Sequence, residues 1–265
     1  MAPIEAEKEA LVILIRCKYA SLHLSCVERG ILTESVFNRS KRLEDRRNMM
    51  VMEKLQVNPA KVKGRLVYHT IKRIFDILAS ALGLILLSPL FLFLIIKIRH
   101  EDGGPAFYSQ ERIGKDEKPF KMWKFRSMVV NADQMLDQLE DENEVDGAMF
   151  KIKDDPRITK IGHTIRKYSL DELPQLWNVL IGDMSLVGPR PPLPSEVAEY
   201  TDYDKQRLLV MPGCTGLWQV TRRSEADFDE MVWLDIVYIN HSGLWEDLKL
   251  IIKTVGVVVH PNGAY

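Results

Sequence analysis

The sequence predicts an α+β fold, mostly helical, in which a re-entrant helix-break-helix membrane hairpin precedes a compact polar domain with short strands. Three observations carry that prediction. Residues 77–96 are twenty consecutive positions without a charge, interrupted by Ser88-Pro89. Basic residues flank the run on both sides, Lys61, Lys63, Arg65, Lys72 and Arg73 before it and Lys97 and Arg99 after it. From His100 onward the chain is polar, and turn signals separate short alternating stretches from longer periodic ones.

The elements follow in order. Residues 1–60 read as an appended segment of unassigned role, with a short helix over Leu11–Val27, a solvated charge run at 38–48 and a break at Asn58-Pro59. Residues 61–99 form a basic juxtamembrane segment and the hairpin. Twenty uncharged residues match a single ~30 Å crossing, but Pro89 removes a helix hydrogen bond inside the run. Cations at both ends also call for the same side of a membrane. Two arms of about ten to twelve residues, each too short to span, satisfy both facts. The Ser88 hydroxyl is a local partner for a carbonyl freed near Pro89.

Residues 100–265 form the compact domain. PAFYSQ and KPFKMWKF alternate as strands around the turn IGKDEK. An acidic amphipathic helix is expected at 131–144, a turn at DDPR, a helix over Thr159–Lys167 and another from Asp171. The Pro-rich loop 188–194 precedes a helix over roughly 195–209, a turn at Pro212-Gly213, and helices over Phe228–Asn240 and Leu244–Val259.

Composition bounds the function. The 265 residues are 46% hydrophobic and 28% charged, which excludes collagen-like and wholly disordered chains. The net charge of −1 conceals an asymmetry of +7 over residues 1–73 against −8 over the remainder, so the basic front faces an anionic surface, membrane or nucleic acid. Cys17, Cys26 and Cys214 form no CxxC pair, so neither a disulfide framework nor a structural zinc is expected, and a reducing compartment is. No signal peptide is read in the acidic start and its five-residue run LVILI. The GxGxxG, P-loop, HExxH and GxSxG signatures are absent from the sequence.

The chemistry therefore rests on RKYSLDELPQL, which carries the adjacent carboxylates Asp171 and Glu172. One reading is a helix start, with Asp171 as N-cap and Pro174 tolerated in the first turn, or Ser169 and Glu172 as a capping box. The other is that the pair binds Mg²⁺, or that one carboxylate attacks an electrophile such as phosphorus. Phosphates need cations, and Arg112, Lys124, Arg126, Arg157, Arg166 and Arg190 lie in the stretches around the pair. Pro189 and Pro191 hold Arg190 in a loop with little entropy to lose on binding. Trp218, after the tight PGCTG stretch, suits either the core or a stacked ring.

Taken together, KRIFDILASALGLILLSPLF, GGPAFYSQERIGKDEKPFKMWKFRSM, DPRITKIGHTIRKYSLDELPQLWNVLIGDMSLVGPRPPLP and PGCTGLWQV resemble, in order, the bacterial sugar transferases. More narrowly, they are similar to the monotopic polyprenyl-phosphate phosphoglycosyl transferases. The resemblance covers roughly residues 70–265. It implies a compact cytosolic catalytic domain on a bacterial plasma membrane. The implied reaction transfers a sugar-1-phosphate from a UDP-sugar to undecaprenyl phosphate, releasing UMP, as the first membrane step of exopolysaccharide or capsule assembly. By the same resemblance Asp171 is the nucleophile that forms a phosphosugar intermediate, and Glu172, with Asp171 beside it, meets Mg²⁺. Arg112, Lys124, Arg126, Arg166 and Arg190 contact phosphate and substrate, and Ser88-Pro89 is the hairpin break. The implied partners are UDP-sugar, undecaprenyl phosphate and membrane lipids, not nucleic acid, with a second copy of the chain left open. Arg222 departs from the family pattern by replacing a glycine. The alternative is a membrane-anchored non-catalytic scaffold of the same machinery, with its site disabled at Arg222. The sequence does not specify the sugar.

Overall fold

The computed structural model describes residues 55–132, 134–135, 155–221 and 226–259. The chain divides after Gln56, and the second unit, Val57–Tyr265, holds nearly all of these residues. Most of the N-terminal extension, most of the acidic helix expected at 131–144, Cys17, Cys26 and Arg222 lie outside the described residues.

Asn58-Pro59, expected as a break, begins a helix. The Asn58 side chain accepts the amides of Ala60 and Lys61, and Pro59 occupies the first turn of α1 (Pro59–Lys63), where no amide is needed. Two long helices follow, α2 (Leu66–Leu86) and α3 (Ser88–Asp102), bent by 60° at Leu87. Pro89 lies in the first turn of α3, not inside a helix, and the Ser88 hydroxyl donates to the Ile85 carbonyl at 2.8 Å. Among the described residues, no single helix is long and apolar enough to cross a membrane, although the bent pair together is.

The arms of 21 and 15 residues are longer than the ten to twelve expected. The extra length carries the charges: α2 holds Lys72, Arg73 and Asp76 before its uncharged part, Ile77–Leu86, which spans only about 15 Å. Around the bend Leu78, Leu82, Ile85, Leu86, Leu92, Phe93 and Ile96 are all exposed, an apolar surface left open among the described residues.

Next comes a hairpin of β1 (Phe107–Ile113) and β2 (Pro119–Phe125), antiparallel from Phe107↔Phe125 to Ile113↔Pro119, as the alternating stretches predicted. Helix α4 (Lys160–Lys167) begins at Thr159, whose hydroxyl accepts the Gly162 amide at 3.0 Å. Glu101, from the end of α3, accepts the amides of Lys160 and Ile161, placing a carboxylate on the positive end of the α4 dipole. A single 3-10 turn, Leu170–Glu172, leads to α5 (Gln175–Ile181).

The helix expected over 195–209 is instead two pieces, α6 (Pro194–Ala198) and a 3-10 segment, Asp204–Leu209. The Thr201 amide and hydroxyl both bond the Asp204 carboxylate, a local closure that competes with helix continuation. Two strands that were not expected lie just before the 188–194 loop and at the end of the Pro212-Gly213 turn, β3 (Ser185–Val187) and β4 (Gly213–Thr215), paired in parallel as Ser185↔Gly213 and Val187↔Thr215. The glycines explain the pairing, because a Cβ on Gly213 would collide with the Gly188 backbone and one on Gly188 with the Met211 carbonyl. Helices α7 (Leu217–Thr221), α8 (Phe228–His241) and α9 (Leu244–Val259) complete the unit, and α8 is buried at every position from Val232 to Ile239.

One core cluster joins α3 to the hairpin and α4 through Leu94, Ile98, Ala106, Phe125 and Ile165, with Phe125 stacked on Phe107 at 5.1 Å. A second joins β2 to α5 and β3 through Met122, Val179 and Met184. The cations that flank the apolar run hold the unit together as well. Arg65 donates to Ser242, and Lys72 pairs with Asp247 at 2.8 Å. Arg73 donates to the Val179 and Leu180 carbonyls, capping the negative end of α5.

Candidate active site

The site grows from the 3-10 turn. Ser169 takes a left-handed conformation, φ 54°, and its side chain caps nothing. The helix begins only after Pro174, again without a side-chain cap. The capping readings of Asp171, Ser169 and Glu172 therefore fail, because the chain makes a separate tight turn before α5 starts. Both carboxylates are left free of the backbone amides that an N-cap would engage.

Cations meet them instead. Lys124, from β2, places its ammonium 2.9 Å from Glu172 Oε1 and 4.0 Å from Asp171 Oδ2. Arg190 lies 3.8 Å from the same Glu172 oxygen. Burial pushes the Asp171 carboxyl up to about 6, against the pull of Lys124, with Glu172 adding to the rise and Arg166 opposing it. Burial acts on Glu172 too, but Lys124, Arg190 and Arg112 outweigh it and hold that carboxyl down. Two neighbouring carboxylates are thus driven apart, the arrangement expected where acidic groups hold different roles.

Each cation is set by its element. Arg112, nearly buried, donates to the Pro191 carbonyl at 3.1 Å and to Gln110 at 2.7 Å, linking β1 to the Arg190 loop. Its Nε is buried without a partner among the described residues. Burial, and then the neighbouring Arg190, pull the guanidinium down to about 10, which leaves it charged at neutral pH. Arg166 donates to Ser127 at 2.9 Å and acts on Asp171 through its charge.

Two cations expected near the pair are engaged elsewhere. Arg126 forms a double ion pair with Asp102 and donates to the Pro105 and Met128 carbonyls, so its guanidinium clamps the end of α3 to β2. Arg157 chelates Asp155 through Nε and Nη2. In both cases a nearby aspartate meets the guanidinium fork to fork, with two parallel hydrogen bonds.

Sequence reasoning missed the residues that support this constellation. Asn178, wholly buried, accepts the Trp123 amide at 3.0 Å and donates to the Lys121 carbonyl at 2.7 Å. It closes the free edge of β2 as a further strand would and fixes Lys124 relative to α5. A lone Asn in the apolar stretch LWNVLI was the available signal. Arg207, in a buried pair with Asp235 at 2.5 Å, reaches the Arg190 carbonyl at 3.4 Å. Beside Glu172 and Arg190 opens a small cleft, also lined by Met122, Gln175, Cys214 and Gln219.

A divalent cation is compatible with the pair. Among the described residues no cluster of three His, Cys, Asp or Glu side chains is placed to hold a metal. Two adjacent carboxylates nonetheless suit Mg²⁺, which commonly takes one or two and completes its shell with phosphates and water.

Residues 67–261 match the family described as Bacterial sugar transferase. The chain is 50% identical over 194 residues to galactosyl transferase CpsE of Streptococcus agalactiae, covering 73% of this chain and 43% of that protein. It is 45% identical over 220 residues to an undecaprenyl-phosphate galactose phosphotransferase of Salmonella typhimurium, covering 82% and 45%. Against the exopolysaccharide production protein ExoY of Rhizobium meliloti it is 40% identical over 198 residues, covering 73% and 88%. The matched region thus spans less than half of the first two relatives and most of the third.

Proposed function

The chain belongs to the bacterial sugar transferase family, and from that premise we propose that it moves a sugar-1-phosphate from a UDP-sugar to undecaprenyl phosphate, releasing UMP, as the first membrane step of exopolysaccharide or capsule assembly. The observation that carries the reading is a buried Asp171 beside a charged Glu172, both free of capping and faced by Lys124 and Arg190.

Two half-reactions follow. Ionised Asp171 attacks the β-phosphorus of the donor, so a carboxylate–phosphorus bond forms, the pyrophosphate bond breaks, and UMP leaves with the bonding electrons. A phosphate oxygen of undecaprenyl phosphate then attacks the phosphosugar and returns Asp171 to its carboxylate. Splitting the transfer means the two polyanions never have to meet directly. Arg190, Arg112, Lys124 and Arg166 offset the negative charge of the phosphates, which is where most of the catalytic work of such a site lies. Glu172 and Asp171 would hold Mg²⁺, whose chemistry when bound is to neutralise phosphoryl charge.

In this reading the bent α2–α3 pair enters and leaves the cytosolic leaflet of a bacterial plasma membrane, with its exposed apolar bend in lipid. The acceptor is lipid-borne and the donor soluble, so a shallow anchor places the site where both can reach it. Cys214 is a poor topology reporter because its thiol lines the pocket, so cysteines introduced at the exposed Lys63 and His100 serve instead. Labelling of both from the cytosolic side supports the hairpin; labelling from opposite sides refutes it.

The deciding experiment measures UMP release from protein in nanodiscs with undecaprenyl phosphate, Mg²⁺ and a panel of UDP-sugars. UDP-galactose heads the panel, since two of the relatives above carry galactose in their names. Asp171→Asn is expected to abolish release and the covalent adduct, and Glu172→Gln to reduce release with a raised Mg²⁺ requirement. Near-normal turnover in Asp171→Asn would remove the nucleophile, and no release from folded wild type would favour a non-catalytic scaffold.

A further inference from the structure

Four consecutive carbonyls in the loop that carries Arg190 are each held by a donor from elsewhere in the fold. Those of Pro189, Arg190, Pro191 and Pro192 accept, in order, the Gly213 amide at 2.8 Å, Arg207 Nη2 at 3.4 Å, Arg112 Nη1 at 3.1 Å and the Ile113 amide at 2.9 Å. The three prolines have no N–H to satisfy and fix their own φ. All three are buried, whereas Arg190 is half-buried with its Nη1 3.8 Å from Glu172 Oε1. The segment is a rigid mount from which one guanidinium projects.

Three of these holds come from backbone amides or from Arg112, which itself faces the site. The fourth comes from the interior. Arg207 and Asp235 are 2% and 1% exposed, and the transfer mechanism uses neither. Their geometry is not the one that stability alone would select. Arg126 and Arg157 each give their aspartate two parallel hydrogen bonds. Arg207 gives Asp235 one, from Nη2 at 2.5 Å, and both its Nε and Asp235 Oδ1 are buried without a hydrogen-bond partner among the described residues. The guanidinium is turned so that Nη1 donates to the Tyr200 hydroxyl at 2.9 Å and Nη2 is shared with the Arg190 carbonyl. A buried ion pair is weak evidence for stability even with good geometry, since apolar residues of similar volume often serve as well. Here the fork is forgone, and what is gained is a hold on the residue that faces Glu172.

We propose that Arg207 is a positioning residue: through the Arg190 carbonyl it sets where the Arg190 guanidinium meets the phosphates of the donor, and Asp235 keeps Arg207 in line. The proposal rests on the transferase reading above. The held carbonyl is bonded to the Cα from which the Arg190 side chain departs, so a shift of one moves the other. A displacement of about 1 Å at a reacting site costs up to about a hundredfold in rate.

The test is a double-mutant cycle on the full chain in nanodiscs. Arg207→Met with Asp235→Leu removes the pair without stranding a charge, and the change is made both in wild type and in Arg190→Ala. The readouts are kcat and KM for UMP release from the best donor of the panel, the dissociation constant of inorganic pyrophosphate, which needs no turnover, and the urea midpoint. In the wild-type background, loss of the pair is expected to lower kcat/KM about tenfold or more, to raise KM and to weaken pyrophosphate binding. In the Arg190→Ala background the same change is expected to cost less than about twofold. A merely structural role would lower kcat through loss of folded enzyme, leave KM unchanged and act by the same factor in both backgrounds, and that result overturns the proposal. Pyrophosphate binding that is indifferent to Arg190 overturns it as well. Wild type that releases no UMP from any donor brings down the transferase reading instead, and the pyrophosphate cycle then decides the positioning role by itself. If the apolar pair does not fold, Arg207→Gln with Asp235→Asn, which exchanges the ions for neutral hydrogen-bonding groups, takes its place in the same cycle.

Discussion

Asn178 offers a quantitative test of how the site is held. Its side chain is fully buried and satisfies two backbone groups on the edge of β2, the Trp123 amide at 3.0 Å and the Lys121 carbonyl at 2.7 Å. Asn178→Ala removes the side-chain partner of both groups. A backbone group stranded in this way costs about 1–3 kcal/mol, so with two of them the variant is expected to lose about 2–6 kcal/mol of stability. Because β2 carries Lys124, the loss also lets the ammonium drift from Asp171 and Glu172. Urea denaturation in a fixed detergent measures the first effect, and steady-state UMP release measures the second, with kcat expected to fall more than KM rises. Destabilisation below about 1 kcal/mol would show that the edge of β2 finds other partners and that the argument from hydrogen-bond accounting is wrong.

Further expectations follow from the same geometry. In the proposed mechanism Asp171 attacks as the carboxylate, and its carboxyl is pushed up to about 6, so kcat/KM is expected to fall about tenfold between pH 7 and pH 5; a flat profile over that range would refute the proposed role. The sign for stability runs the other way, since a carboxyl whose folded value is raised favours the fold at low pH and loses that contribution as pH rises through the folded value. Asp235→Asn leaves Arg207 buried without its counter-charge and is expected to cost about 3–5 kcal/mol, with the Asp235→Leu, Arg207→Met double variant recovering much of the loss; equal losses in single and double variants would argue against a coupled pair. Pro89→Ala is expected to straighten the α2–α3 bend enough to change labelling at positions 63 and 100, and an unchanged pattern would show that the bend does not depend on the proline.

Much of this architecture was legible because local chemistry and tertiary structure agree. The alternation of FYSQERI and PFKMWKF, the turn between them and the long apolar stretches of α8 and α9 all specify their elements without reference to distant residues. The bend between α2 and α3 was legible for the same reason, since Ser88-Pro89 carries its consequence within four residues. What escaped was set by contacts remote in sequence. The three-residue strands β3 and β4 exist because Gly188 and Gly213 let two distant segments close together, and no window of sequence contains both. Asp171 and Glu172 looked equally suited to capping, because the separate tight turn that holds them ahead of α5, entered through a left-handed Ser169, is a property of the folded chain. Arg126 and Arg190 are alike in sequence; Asp102 distinguishes them by claiming the first.

The ties between the bent helices and the site have a mechanical consequence. Arg73 grips the end of α5, Asp76 accepts the Leu186 amide in β3, Glu101 sits on the start of α4, and Asp102 locks Arg126 beside β2. Every segment that carries a candidate functional group is bolted, directly or through one neighbour, to the frame that the bent pair provides. In the proposed setting, that frame acts as a gauge block. The height of Asp171 above the hydrocarbon is fixed by protein geometry, while the lipid composition can vary beneath it. An acceptor phosphate at the headgroup level would then meet the nucleophile at one depth in any bilayer, with no hinge needed to bring them together.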